Sequence, residues 1–459
     1  MTSLADVDTL EQLRAHLDGR VIEPGDADYD QARTVFMGGI DRRPAAVVLP
    51  TSTAEVARVV SLARESGVEL AVRSGGHSAA GHSIVDGGLV LDLAAMRALD
   101  LDVERRTAWA QTGLTAGEYT NAAGEHGLAT GFGDAASVGI GGLTLGGGVG
   151  YLSRLHGLTI DSLLAAEIVT ADGQTLRVDN ENHPDLFWAI RGGGGNFGVV
   201  TRLKFRLHEV DSVVGGMLML PASPDVVRSF VAQAESAPDE LSTIANVTPA
   251  PPMPFVPAED HGKLVVMGLL CYAGPPDEAE PVIESFRSLA TPIADTVKPI
   301  PYPEIYPPEV QDYHPTVASR TMFIDTVEAD TAELIVDRLE SSDASMRVTQ
   351  LRALGGAIAR VPAGATAYAH RNSRIMANVV GFYDEPGEKP AREAWVDEFA
   401  SDLRQSDPGA YVNFLGDEGE ERVRAAYPGD TWDRLAKVKA QYDPTNLFHN
   451  NQNVPAASA

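Results

Sequence analysis

The sequence predicts a mixed α+β protein in two domains, and three observations carry that reading. A strand, helix, strand unit runs through residues 45–72. Glycine then becomes dense, with Gly139, Gly141, Gly142, Gly146, Gly147, Gly148 and Gly150 inside a dozen positions. Beyond Val210 the texture changes: prolines gather at 249–257 and again at 299–308, glycine thins, and helical patterns alternate with strands. The 459 residues suffice for two filled cores, and 44% hydrophobic with 22% charged residues is the balance of a folded enzyme rather than a disordered chain.

Residues 45–49 read as a short apolar strand. Ser52, three positions before Glu55, forms a capping box that opens a helix, Val56, Val59, Val60 and Ala63 give it one apolar face, and Gly67 closes it. Residues 68–72 return as a strand and deliver the chain into the turn Arg73-Ser74-Gly75-Gly76-His77-Ser78. Backbone with so little side chain can press directly against a planar, phosphate-bearing ligand, which makes this turn the first candidate site. Residues 89–93 and 107–111 alternate like strands, and 116–126 has helical spacing. The glycine-dense stretch 131–150 is predicted to be loop or closely apposed backbone, because each glycine costs about 1 kcal/mol in a helix. A hairpin is expected over 164–178 around Asp172-Gly173, a helix over 184–191, and a strand over 198–207. In the second domain, helices are expected at 225–234 and 332–341 and strands at 264–272 and 374–382. The tail from Tyr411 to Pro455 reads as a strand, a helix through Arg434, Leu435 and Lys439, and a turn at Asp443-Pro444, packing back on the first domain.

Charge and motifs exclude several functions. A formal net charge of -28 leaves no basic surface for nucleic acid or anionic lipid. Gly193, Gly195 and Gly198 match GxGxxG, but a helix precedes and a strand follows, the reverse of what a dinucleotide fold requires; Gly131, Gly133 and Ala136 fail in the same way. GxxxxGK[ST], GxSxG and HExxH do not occur. His77 and His82 are five apart, yet no neighbouring ligand completes a metal site, so no metal is expected. The single cysteine, Cys271, permits no internal disulfide. Acidic residues near the start in place of a basic patch and apolar run, with no membrane-spanning stretch, give a cytoplasmic expectation, secretion in folded form remaining open.

Several motifs fall in one order: Arg42-Arg43-Pro44 with Pro50; residues 72–77; Val138-Gly139-Ile140-Gly141-Gly142 followed by residues 146–150; Arg154 with Gly157-Leu158 and Asp161; Leu186-Phe187-Trp188-Ala189 with residues 191–194; residues 196–201; and Tyr442-Asp443-Pro444 through Asn446, Phe448 and Asn453. With these the chain resembles the FAD-linked oxidases of the vanillyl-alcohol oxidase superfamily, in the berberine-bridge-enzyme-like group. The resemblance implies a PCMH-type FAD-binding domain made of residues 1–206 and 409–459, interrupted by a substrate domain, 207–408, whose antiparallel sheet roofs the flavin. It implies that His77 is bonded to the flavin 8α carbon and that Arg73, Ser74, Gly75, Gly76 and Ser78 wrap the pyrophosphate through their backbone. It further assigns cofactor contacts to His82, Val138, Gly139, Gly141, Gly142, Gly148, Gly198, Val200, Asn413, Asn451 and Asn453.

In some members a cysteine supplies a second flavin bond; the matching position here is Ala135, so His77 is expected to be the one tether. Val138, a valine where poorly oxygen-reactive members have leucine, favours oxidase over dehydrogenase. The implied reaction is hydride transfer from a C–H beside an alcohol or amine, then reduction of O2 to H2O2, so the partners are a small organic substrate and O2. Many relatives carry a basic tyrosine in Tyr-x-Asn-Tyr, but this chain reads Tyr411-Val412-Asn413-Phe414. Phe414 has no proton to exchange, which leaves Tyr411, Tyr368 and Arg371 as catalytic candidates, with His370 beside them. A dehydrogenase with another acceptor, or a flavin-bearing binder, remains an alternative.

Overall fold

The computed structural model describes residues 11–457 apart from 12, 16 and 307–311. The start of the chain, on which the leader expectation rests, and Pro307 and Pro308 of the second proline cluster lie outside the described residues. None of the described helices is long and apolar enough to cross a membrane.

The architecture is α+β. A four-stranded sheet has the order Arg20–Ile22, Ala46–Leu49, Leu89–Asp92, Leu70–Arg73, the last three strands parallel. Helix Thr53–Ser66 connects two of them; the Ser52 hydroxyl accepts the Glu55 N–H at 3.4 Å, and Gly67 ends the helix at φ 68°. Only half of the expected capping box forms, because the Glu55 carboxylate takes the N–H groups of Thr51 and Asp18 instead, both at 2.6 Å. Leu70–Arg73 lies at the sheet edge, so the Ser74 turn leaves the carboxyl end of an edge strand. Beside it stands an antiparallel sheet of five strands, Leu99–Asp102, Thr107–Gln111, Val199–Arg206, Leu163–Val169 and Thr175–Val178, the last two being the expected hairpin.

The glycine-dense stretch departs from expectation: Ile140–Gly146 is an α-helix. Tertiary packing overrides propensity here. A Cβ on Gly141 would stand 3.0 Å from the Ser74 Oγ and one on Gly146 1.9 Å from the Asn413 Oδ1, so glycine lets this helix lie closer to its neighbours than any side chain allows. Packing gained at such close range outweighs the propensity cost.

The third layer is a wholly antiparallel eight-stranded sheet. Its order is Ala294–Asp295, Ser212–Pro221, Leu264–Tyr272, Leu241–Pro249, Arg347–Ala353, Ile375–Phe382, Val317–Ile324, with Lys298–Pro301 also paired to Ser212–Pro221. Helices Pro224–Ser236, Pro276–Arg287, Ala329–Glu340 and Lys389–Leu403 cover one face, where Phe230, Phe286, Leu339 and Phe399 are fully buried. The tail corrects a second expectation. Residues 412–414 form a 3-10 turn rather than a strand, because Tyr411 and Asn413 turn inward to bond the backbone of residues 143–149. Helices Glu420–Ala426 and Asp430–Tyr442 follow, placing Leu435 and Val438 in the same core as Phe187 and Phe205.

Candidate active site

Between the glycine turns and the helix-free face of the large sheet lies a cavity of about 570 Å³. Its floor is built from backbone. A Cβ added to Gly75 would fall 2.2 Å from the Gly139 N, and one on Gly139 would fall 2.3 Å from the Gly75 N, so the two turns touch main chain to main chain. Gly76 takes φ +72°, a conformation that disfavours any side chain. The Ser74 hydroxyl donates to the Thr112 carbonyl at 2.5 Å and accepts the Gly141 N–H at 3.3 Å, locking the turn to the helix behind it. His77, half-buried on the cavity wall, stacks on the Phe36 ring with centroids 4.0 Å apart and planes at 17°. Ser78 holds the His82 N–H at 3.2 Å, and burial pushes the His82 imidazole down to about 4, leaving it neutral near pH 7.

Val138, Gly139, Gly141, Gly142, Gly198 and Val200 all line the same cavity, as do Ala135, Tyr411, Asn413, Phe414 and Asn451. Asn413 donates through Nδ2 to the Leu143 carbonyl and to the Tyr411 oxygen, each at 2.9 Å. The Tyr411 oxygen also accepts the N–H groups of Gly148 at 2.9 Å and Val149 at 3.3 Å. Burial pushes its phenol upward against these donors.

The structure draws other sequence candidates away from the cavity. The Arg73 side chain is buried, with the Asp92 carboxylate at 2.7 Å and the carbonyls of Thr34 and Ala32, so only its backbone stays with the turn. Arg371 makes a bidentate pair with Asp161 at 2.7 and 2.8 Å and a third bond to the Thr366 hydroxyl; its guanidinium is spent on packing and does not line the cavity. Tyr368 is buried behind Tyr411, ring centroids 6.1 Å apart, and His370 bonds the Ala426 carbonyl at 3.1 Å. Gly148, at φ +81°, packs on Thr159, and Asn453 stands outside the lining although its Oδ1 is buried without a partner among the described residues. As catalytic groups, Tyr368 and Arg371 are therefore misplaced. Tyr411 reaches the cavity with an oxygen already filled by three N–H donors, which makes it a positioning group.

Sequence reasoning missed other lining residues: Val317, Asn378 and Phe382 from the large sheet, and Phe36, Tyr313 and Tyr427 from connecting segments, all line the cavity. Nothing in their local pattern marks them, since strand register turns the first three inward and packing between distant segments places the others. The cavity fits a flavin dinucleotide on three grounds. Its floor is main chain at close range. Gly142 and Gly195 have nothing within 4 Å of where a Cβ would stand, so any side chain there would occupy the cleft. The Asn451 Oδ1 and the Tyr427 hydroxyl, both on its walls, are buried polar atoms that no described residue satisfies.

Comparison with known proteins agrees with this geometry. Residues 44–179 match the FAD binding domain family model, and residues 410–455 match that of berberine and berberine-like proteins. Over 455 residues the chain is 31% identical to (R)-6-hydroxynicotine oxidase of Paenarthrobacter nicotinovorans, covering 95% of this chain and 97% of that protein. The crystal structure of 6-hydroxy-D-nicotine oxidase from Arthrobacter nicotinovorans aligns with a TM-score of 0.85 at 28% identity, over 95% of this chain and 98% of that one. Glucooligosaccharide oxidase from Acremonium strictum, which carries a 6-S-cysteinyl, 8α-N1-histidyl FAD, shares the fold at a TM-score of 0.86 and 23% identity, over 98% of this chain and 100% of that one. A backbone-walled cleft of this build, with likeness running the whole length of the chain, places this protein in the berberine-bridge-enzyme-like family of PCMH-type FAD-linked oxidases, with FAD as its cofactor.

Proposed function

We propose that this oxidase carries its FAD on a single covalent bond from His77, removes a hydride from a C–H beside an alcohol or amine of a small organic substrate, and uses O2 as the acceptor. The observation that carries the reading is the placement of His77 on the cavity wall, its ring plane set by Phe36, directly after the backbone floor of residues 74–76. Ala135 offers no thiol for a second bond, and Cys271 is fully buried in the large sheet with its thiol pushed up by burial. When bound, the flavin would supply the redox step: a hydride (two electrons and one proton) leaves the substrate carbon, the second proton leaves its hydroxyl or amine nitrogen to solvent, and O2 takes up two electrons and two protons as H2O2.

The remaining work falls to side chains of the chain itself. Ser74 fixes the separation of the two glycine turns. Asn413 and Tyr411 hold residues 143–149 at the cavity edge. Val138 presents a short side chain to the cavity, which leaves room for O2. Phe414 contributes shape and exclusion of water rather than proton transfer.

The test is chemical. Acid-precipitated wild-type protein should retain its yellow colour, and its intact mass should carry one flavin. His77→Ala should release FAD on denaturation and turn over at least about ten-fold more slowly, the equivalent of about 1.4 kcal/mol of barrier. Flavin that stays attached in His77→Ala, or substrate-reduced enzyme that does not reoxidise in air with release of peroxide, contradicts the proposal.

A further inference from the structure

We infer that the substrate is an uncharged, largely apolar aromatic molecule whose polar group is read by the Asn378 carboxamide; this rests on the oxidase reading above. Alternation along strands Val317–Ile324 and Ile375–Phe382 sends Ala318, Ala377 and Val379 into the helix-covered core, while Val317, Ser319, Asn378, Val380 and Phe382 face the cavity. Phe36, Tyr313 and Phe414 join them from other elements, and the Tyr313 and Phe36 rings meet edge to face at 6.5 Å. A wall this rich in aromatic and branched side chains stacks on a ring and offers a sugar few hydrogen bonds.

Asn378 is the polar interruption. Its Oδ1 is buried without a partner among the described residues. Its ladder neighbours are already committed: Gln350 donates to the Asn246 Oδ1 at 3.0 Å and accepts from the Arg352 Nε at 2.9 Å. An unmet carboxamide, free to present either its oxygen or its nitrogen, is therefore left for a ligand hydroxyl, carbonyl or N–H.

Charge supplies the second argument. Among the described residues lining the cavity, Asp134 is the sole member of the Asp, Glu, Lys and Arg set, and Arg352 donates to its carboxylate. That pair also joins the two domains, with the Arg352 guanidinium 5.3 Å from the Phe414 ring centre. His82 is held neutral by burial. In a chain of net charge -28, the cavity thus offers no unpaired Asp, Glu, Lys or Arg to an ammonium or a carboxylate, and an ion entering it would lose hydration with little compensation.

Three probes of one shape test this on the flavinylated protein at pH 7.5: 3-hydroxybenzyl alcohol (neutral), 3-(aminomethyl)phenol (cationic) and 3-(hydroxymethyl)benzoate (anionic). Binding is read from perturbation of the flavin absorbance, and peroxide is measured separately. The neutral probe should bind at least about ten-fold more tightly than either ion, a modest fraction of the penalty for an unpaired buried charge. Asn378→Leu should weaken the neutral probe, and Asn378→Asp should move preference toward the ammonium probe, with flavin content and circular dichroism confirming that both variants fold. A charged probe bound as tightly as the neutral one, or no perturbation by the neutral probe up to its solubility, overturns the inference. Neutral-selective binding with no peroxide from any neutral aromatic alcohol or amine would leave the inference standing and defeat the oxidase reading; peroxide from the charged probes alone would do the reverse.

Discussion

At the scale of single residues, the glycines separate into two kinds with opposite responses to substitution. Gly139 is structural: a Cβ there stands 2.3 Å from the Gly75 N and 2.4 Å from the Ser74 Oγ, and main chain cannot yield at that distance. Gly139→Ala should abolish soluble expression. Gly142 is its counterpart inside the helix that Gly139 precedes, with open space where its Cβ would be and the cavity beyond. Gly142→Leu removes a helix-weakening glycine, a gain of up to about 1 kcal/mol, while filling the cleft. The apoprotein melting temperature should hold or rise while flavin content falls by about ten-fold, corresponding to a steric penalty near 1.4 kcal/mol. Differential scanning fluorimetry and the ratio of flavin to protein absorbance read the two effects independently.

At the scale of elements, the carboxy-terminal segment is held to the cavity by one buried cation. The Lys439 Nζ, with side-chain exposure 0%, donates to the carbonyls of Asn196 and Phe448 at 2.7 and 2.8 Å and to the Asp443 carboxylate at 2.7 Å. Asp443 in turn accepts the N–H groups of Leu447 and Phe448, both at 2.8 Å. Asn196 and Phe448 line the cavity, so the ammonium pins two of its walls at once. Burial pulls the Lys439 amine down, while Asp443 acts in the opposite direction. Lys439→Met strands a buried carboxylate and should destabilise the protein by about 3–5 kcal/mol. Adding Asp443→Asn to it should recover part of that loss, because the charge left uncompensated is then gone. Urea midpoints of the two single variants and the double variant decide the matter; a double variant as weak as the sum of the singles contradicts it.

At the scale of the whole molecule, buried histidines set the acid limit of the fold. Burial pushes His82 and His208 down to about 4 and also lowers His156 and His370. His156 and His208 stack with centroids 3.9 Å apart, and the His208 Nε2 bonds the Ser162 hydroxyl at 2.9 Å. The unfolded chain binds these protons near pH 6.5 and the folded one does not, so stability is complete above that pH and lost as pH falls toward 4. Each unit of depression corresponds to about 1.4 kcal/mol. The urea midpoint at pH 5 should therefore lie clearly below that at pH 7.5, and replacing His208 by Gln should flatten the slope; equal midpoints at the two pH values would refute the assignment.

Local chemistry made much of this legible in advance. The helix opened by Ser52, the hairpin around Asp172-Gly173 and the turn at His77 each follow from a few neighbouring residues, and the order of glycine motifs carried the family and the cofactor. The helix Ile140–Gly146 was not legible, because propensity counts what glycine loses in isolation and not how closely it lets two backbones meet. Arg371 and Tyr368 read as site residues by type, yet Asp161, 210 positions away from Arg371 in sequence, claims the guanidinium. By itself, then, the sequence determined the family, the cofactor and the backbone turn that ends at His77, since those are properties of short segments. Only the tertiary structure decided the facing wall, where Asn378 and Phe382 meet the cavity and Arg352 of the large sheet pairs with Asp134, and the turning of the Arg73 side chain away to Asp92. Sheet register and the packing of the large sheet on the glycine turns determine which of many ordinary side chains reach the cavity, and both are set by contacts between residues far apart in the chain.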